Sequence, residues 1–254
     1  MRPPGEARLG GVTPRRLTLG LLALLALQVG AATADLAFPP DLTRGEAASP
    51  VALDRRGAWL RALPVENGRW RLRADLERTD PTFVRRLIAT EDARFRLHPG
   101  VDPLALARAG VSNVVRGRTV SGGSTLTMQT ARLLEPRPRT LASKAVEAVR
   151  AVQLEARLRK DEILALYLTL APYGGNLEGV RAASLVWFGH EPESLTPAEQ
   201  ALLIALPQAP EARRPDRRPA AAVAARDAVL RRWGLAEQTG EPAPARARVP
   251  ALAW

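Results

Sequence analysis

The spacing of hydrophobic and polar positions changes three times along this chain. Leu17 to Ala34 is a run of 18 residues without a charge. As a helix it spans about 27 Å, just short of the ~30 Å hydrocarbon core of a bilayer. Arg2, Arg8, Arg15 and Arg16 precede it against one acid, Glu6, which places residues 1–16 in the cytoplasm and the remainder beyond the membrane. Ala32-Thr33-Ala34 also has the small-x-small form of a cleavage site, so residues 17–34 read as a transmembrane anchor or as a signal segment. A second pattern covers residues 35–75. After Phe38-Pro39-Pro40 and a polar linker to about Pro50, Val51 to Leu53 and Ala58 to Leu63 flank Asp54-Arg55-Arg56-Gly57, a turn. Asn67-Gly68 is a hairpin signal, with Trp70 and Leu72 alternating with arginines after it. This predicts a small antiparallel β-hairpin region between membrane and main domain.

From Asp80 the period becomes helical. Asp80-Pro81, Asp102-Pro103 and Thr196-Pro197 are N-cap and N1 pairs. The first opens a helix with Phe83, Leu87 and Ile88, the second one with Leu104, Leu106, Ala107, Val111, Val114 and Val115. Further helices are predicted over Thr125 to Leu134 with Ser124 as cap, and over Thr140 to Leu158 with Leu141, Ala145, Val149, Val152 and Ala156 on its apolar face. The same pattern predicts helices over Asp161 to Ala171, Leu177 to Phe188, Pro197 to Leu206 and Pro219 to Trp233. Residues 76–233 therefore form a mainly α domain, and the Pro- and Ala-rich residues 234–254 a loosely structured tail.

Composition narrows the function. Aromatics are 4% of the chain, too few for platforms that stack single-stranded nucleic acid, and no nucleic-acid-binding motif accompanies the charge of +11. That charge suits an anionic membrane or a phosphorylated substrate. There are no cysteines and only two histidines, His98 and His190, which excludes Cys-based and His-rich metal sites. Among 37 basic residues only Lys144 and Lys160 are lysines. A lysine that survives such an arginine bias marks a place where a compact ammonium suits better than a fork.

Candidate chemistry gathers between Thr90 and Glu147. Glu91 and Glu147 are carboxylates able to move a proton. Gly122-Gly123-Ser124-Thr125 is a flexible turn at a helix N-terminus, whose free N–H groups and hydroxyls can hold anionic oxygens. Gln129 and Arg132 can share a face with Thr125, and Lys144 and Glu147 are i and i+3 on one helix. Each feature alone has an ordinary reading: a solvated Glu-Asp pair, a structural histidine, a flexible cap, a surface salt bridge. Together they suit chemistry on a sugar with a phosphorylated leaving group.

The ordered motifs carry a resemblance. Glu91-Asp92-x-x-Phe95-x-x-His98-x-Gly100, Gly122-Gly123-Ser124-Thr125-Leu126-Thr127-Met128-Gln129, Lys144-x-x-Glu147 and Lys160-Asp161-Glu162-Ile163-Leu164-x-x-Tyr167-Leu168 resemble the peptidoglycan glycosyltransferase domain (glycosyltransferase family 51) of class A penicillin-binding proteins. Ala171-Pro172-Tyr173-Gly174-Gly175-Asn176-Leu177-Glu178-Gly179 and Leu206-Pro207-Gln208-Ala209-Pro210 resemble the 1C branch. The resemblance covers about Pro50 to Arg218. It implies a lysozyme-like α domain with a catalytic lobe and a membrane-facing jaw, and inverting polymerisation of lipid II into glycan strands. It implies catalytic roles for Glu91, the base on the acceptor hydroxyl, and Glu147, which assists departure of pyrophosphate directly or through a divalent metal (Mg or Mn). Asp92, Ser124, Thr125, Gln129, Arg132 and Lys144 match substrate-binding positions, and Phe95, His98, Gly100, Gly122 and Gly123 structural positions around the site. No organic cofactor is implied. The implied partners are lipid II, the growing strand, the membrane and other cell-wall synthesis proteins, at the outer side of the bacterial inner membrane.

Three positions depart from the family pattern. Ser143 stands where an arginine often precedes the lysine, Met128 where the second motif often has glutamine, and Thr169 where the fourth often has asparagine. The first removes a cation unless another arginine replaces it, and the last threatens a structural hydrogen bond. A lysozyme-type glycan hydrolase also fits a mostly α fold with two carboxylates, and a catalytically silent membrane-tethered lipid II-binding scaffold is the non-enzymatic alternative. A penicillin-acylating Ser-x-x-Lys is not expected, because Leu141 and Arg157 stand three residues before the two lysines.

Overall fold

The computed structural model describes residues 35–56, 59–116, 123–240 and 242–244, with isolated positions 18, 22, 32 and 33. The expected span 17–34 and Gly122 lie largely or wholly outside the described residues. Among the described residues no helix is long and apolar enough to cross a membrane. The described residues from Pro40 onward form one compact unit.

Its elements in order are α1 (Thr43–Glu46), β1 (Val51–Leu53), β2 (Trp59–Ala62), β3 (Trp70–Arg71), α2 (Pro81–Glu91), α3 (Pro103–Arg116), α4 (Leu126–Leu134), α5 (Leu141–Arg157), α6 (Lys160–Leu170), β4 (Leu177–Glu178), α7 (Val180–Phe188), α8 (Pro197–Ala205) and α9 (Pro219–Arg232). The expectation of a mainly α domain holds, and the caps explain why helices start where they do. Asp80 accepts from the N–H groups of Thr82 (2.7 Å) and Phe83 (3.3 Å), and Asp102 from Ala105 (2.9 Å). Thr196 and Glu199 form a reciprocal capping box. α4 and α6 run through the core with Leu126, Ala131, Leu134, Ile163, Leu164 and Leu168 buried, and α5 crosses α4. α8 is buried along its whole length except Pro197 and Glu199; it packs on α9 and touches α2.

The β region is less separate than its sequence suggests. β1 and β2 form the expected antiparallel hairpin. Asn67-Gly68 sits in a tight turn bridged by the N–H of Val65 donating to the carbonyl of Arg69 (2.8 Å), and Gly68 takes a positive φ of 68°. The strand that follows does not extend the antiparallel sheet. β3 pairs parallel to β4, more than 100 residues away. Arg71 does not alternate outward but is 5% exposed. Its guanidinium bonds Glu178 (2.6 and 2.8 Å) and the carbonyls of Arg44 and Ala47. A buried arginine bonded through Nε and both Nη atoms locks the segment around Arg44 and Ala47 into the domain.

β4 also corrects the predicted helix over Leu177 to Phe188, which starts only at Val180. Gly179 has φ 90°, and a Cβ there would sit 2.7 Å from the Thr169 carbonyl oxygen; only glycine lets the chain turn so close to α6. The tail is tied down as far as Pro242. Gly240 donates to Asp227 (3.0 Å) and Arg226 to the Pro242 carbonyl (3.3 Å), so both bonds are made by the buried charged pair of α9. The apolar stripe predicted for α5 faces outward: Leu141, Val149 and Val152 are exposed, and the buried positions are Glu147, Ala151, Gln153 and Leu154. Leu97, Leu104 and Leu106 are exposed as well. The periodicity was real, but its apolar side is not the side that meets the core.

Candidate active site

The site has a buried floor and an open cleft. The floor begins where α2 ends. Glu91 is the last residue of that helix, and Asp92 leaves it with φ −157° and ψ 74°. The two neighbouring carboxylates therefore part. Asp92 turns inward, 7% exposed, and accepts from His98 Nε2 (3.0 Å to each oxygen) and from the Leu126 N–H (2.9 Å). That carboxylate occupies the N-terminus of α4, where anions are favoured. The helix end expected to hold a substrate anion thus holds an anion of the chain itself, and Asp92 is a floor residue rather than a cleft residue. Thr125, not Ser124, caps α4. It accepts from the Met128 N–H (3.1 Å) and donates to the Gly100 carbonyl (2.5 Å), and at 2% exposure it too lies below the cleft.

The remaining structural candidates behave as expected of a floor. Phe95 is fully buried and meets the His98 ring edge-on at 6.4 Å. A Cβ on Gly100, whose φ is 93°, would lie 2.6 Å from the Ala151 carbonyl oxygen, and one on Gly123 would lie 2.9 Å from Leu106 Cα. Lys160 belongs here also. Its ammonium donates to the His98 carbonyl and to Glu155 (2.6 Å each), and lies 4.6 Å from the Phe95 ring centroid. Thr127 donates to the same Glu155 oxygen (2.6 Å).

Above this floor is a cavity of about 880 Å³ that brings together Glu91, Ser124, Gln129, Arg132, Lys144 and Glu147, the six remaining site candidates. Gln129 donates to Glu91 Oε2 (3.2 Å) and Gln208 to Oε1 (2.8 Å). Lys144 does not pair with Glu147 one turn on; its ammonium donates to the Ser124 hydroxyl. Glu147 is 8% exposed yet lines the cavity, and no side chain among the described residues pairs with it. Beneath them burial pushes the Tyr167 hydroxyl well above its ordinary range, with the charge of Glu91 adding to the effect. Tyr167 therefore stays neutral and offers no competing base.

Among the lining residues to which the sequence reading gave no role in the site are Arg139, Gln208 and Arg232. Arg139 lies in a Pro-Arg-Pro-Arg-Thr loop without periodicity, and Arg232 comes 85 positions after Glu147. Gln208 stood in a quoted motif but without a role. The two arginines place cations in the cleft that Ser143 does not supply; Ser143 shares the Thr140 cap instead (2.9 Å between hydroxyls). Met128 is 1% exposed and points into the core, so a glutamine is not missed in the cleft. Thr169 makes two hydrogen bonds, from the Ala74 N–H (3.0 Å) and to the Ala165 carbonyl (2.8 Å), so its hydroxyl both accepts and donates.

A family model for transglycosylases matches residues 57–233. The chain belongs to the transglycosylase family. It is 49% identical over 169 residues to penicillin-binding protein 1C of Escherichia coli K12, covering 66% of this chain and 22% of that one. Identity is 42% over 164 residues to penicillin-binding protein 1A of E. coli K12, covering 64% and 19%. It is 39% over 163 residues to penicillin-binding protein 1A of Aquifex aeolicus, covering 64% and 22%. The chain thus spans about one fifth of the length of these transglycosylase relatives. A crystal structure of penicillin-binding protein 1A from Haemophilus influenzae aligns over 78% of this chain and 21% of that one, at TM-score 0.40 and 16% identity, and decides nothing further.

Proposed function

We propose that this transglycosylase polymerises lipid II into β-1,4-linked glycan strands, with inversion at the anomeric carbon and release of undecaprenyl pyrophosphate. The observation that supports it is the company the two glutamates keep: Glu91 and Glu147 line one cavity with Arg132, Arg139, Lys144 and Arg232. Glycoside hydrolysis needs two carboxylates but no such set of cations. Departure of a pyrophosphate does need them.

The chemistry follows from the positions. Glu91 takes the proton of the acceptor sugar hydroxyl, and that oxygen attacks the anomeric carbon of the donor from the face opposite the leaving group. The bond from that carbon to the pyrophosphate oxygen breaks, and the electron pair goes to the pyrophosphate. Lys144 and the arginines hold the developing charge, in a cleft whose floor of protein dipoles is already fixed. Glu147 acts at the leaving-group end, beside Lys144.

A divalent ion fits this site only in part. Among the described residues no three His, Asp or Glu side chains form a group that could hold a metal ion. Glu147 offers one carboxylate, so a Mg or Mn ion would take most of its ligands from the pyrophosphate and water. No step above passes through it.

The proposed setting is the outer face of the bacterial inner membrane, with the charge-free run 17–34 beside the lipid. Leu97, Leu104, Leu106, Val149 and Val152 are exposed apolar side chains, as contact with lipid would need. The test is direct: incubate the purified protein with labelled lipid II and a divalent cation, and separate the products on a gel. Polymer is expected. Binding without polymer would favour the silent scaffold, and cleavage of preformed strands would favour the hydrolase.

A further inference from the structure

Glu91 is gripped from two sides, and the grips differ. Both glutamines line the cleft, but Gln129 reaches Glu91 from α4 by the longer bond, 3.2 Å. Gln208 reaches it at 2.8 Å from the turn that continues α8, and Leu203 and Leu206 beneath that turn are fully buried. The Gln208 amide is itself oriented. Arg213 donates through Nη1 to the Gln208 side-chain oxygen (3.0 Å) and to the Ala205 carbonyl at the end of α8 (2.6 Å). A guanidinium only donates and a carboxylate only accepts. Turning the amide over would set oxygen against oxygen at Glu91 and N–H against N–H at Arg213, so both neighbours demand the same orientation.

We propose that Gln208, oriented by Arg213, is a positioning residue that holds Glu91 Oε1 and leaves Oε2 to receive the acceptor proton. This rests on the reading of Glu91 as the base. Substrate needs only to displace the longer Gln129 bond, while the Gln208 bond keeps the carboxylate aimed. The pairing was invisible in sequence because 117 residues separate the partners.

The test uses the full chain, labelled lipid II, and kcat and KM measured separately. Gln208 is exposed, so substitution does not threaten the core. Gln208→Leu removes the donor and should lower kcat about tenfold, with KM within about twofold, as loss of a hydrogen bond to a charged group predicts. Gln208→Glu copies the shape of glutamine but sets a carboxylate against Glu91, and should lower kcat further. A role in shape alone predicts the reverse order, so a Glu variant milder than the Leu variant overturns the proposal. Combining Arg213→Met with Gln208→Leu should lower kcat no more than Gln208→Leu alone, since both break one chain of contacts; additive losses overturn the link to Arg213. Glu91→Gln separates the two readings. If it still polymerises, the base assignment falls and the positioning role falls with it. If it is inactive while Gln208→Glu works normally, only the positioning role falls.

Discussion

Glu91 and Asp92 are adjacent acids, and Lys144 and Lys160 are the two lysines of the chain; one of each pair belongs to the cleft and the other to its floor. Glu91 and Lys144 line the cavity. Asp92 and Lys160 lie below it, each bonded to groups that tie separate segments together. Asp92 joins the end of α2 to the start of α4, and Lys160 joins the loop after α2 to α5 and α6. Like residue types were thus placed for opposite purposes, and what separates them is where they lie. The floor charges sit below the cavity between partners from separate segments, so they hold shape. The cleft charges border the cavity, where a ligand can take the place of a protein partner.

The largest break in this contrast is expected at Glu91. Glu91→Gln should reduce polymerisation by ~10²–10⁴-fold with helical content unchanged, because it removes the base and little else. Its defect should persist at every divalent metal concentration, whereas that of Glu147→Gln should vary across a metal titration. Next comes its neighbour: Asp92→Ala should cost about 3 kcal/mol of stability, leaving the Leu126 N–H and His98 Nε2 buried without their partner. Urea denaturation measures it, and a stability loss at Glu91→Gln as large as at Asp92→Ala would erase the distinction between cleft and floor.

The lysines sharpen the same point on a smaller scale. Lys160→Met should cost about 2 kcal/mol by leaving Glu155 half-paired in a buried setting. Lys144→Met should leave the unfolding midpoint nearly unchanged while lowering kcat about tenfold or more, as loss of a cation beside a developing charge predicts. Equal effects of the two on stability would contradict the assignment. The smallest effect concerns the rim of the floor. The Arg94 guanidinium, bonded to Asp102, holds that carboxyl at about 2 against an ordinary 3.8, with the Ala105 N–H assisting against burial. A depressed carboxylate contributes stability that is fully present above its unfolded value and is lost as pH falls through the folded one. The contribution of Asp102 should therefore fade between about pH 4 and pH 2. Asp102→Asn should flatten the stability curve in that window and nowhere near neutrality.

Much of the helical part was legible because its signals are local. Asp80-Pro81, Asp102-Pro103 and Thr196-Pro197 start helices through contacts within three residues, and those contacts are present. The motif residues converged because helical spacing puts Lys144 and Glu147, or Gln129 and Arg132, on one face. Less legible were features set by partners far away. Leu177-Glu178 read as helix and became a strand because β3 lies beside it and Gly179 must turn against α6. The bonds that hold Gly240 and Pro242 were not legible either, because nothing local marks Asp227 and Arg226 as their partners.

By itself, then, the sequence determined the helices, the ordered motifs and the pair of glutamates, all of which follow from short-range geometry and residue chemistry. Tertiary structure decided which charges face the cleft. The C-cap conformation of Asp92 sent one carboxylate inward and left the other outward. The side of α5 that meets α4 proved to be the side of Glu147 rather than the apolar stripe of Leu141, Val149 and Val152. Arg139, Gln208 and Arg232 entered the cleft from segments that nothing local connected to it. The physical reason is that a charge becomes a structural brace or a ligand contact according to whether folding encloses it among fixed partners or leaves it at an open cleft, and the groups that enclose it come from parts of the chain that only folding brings together.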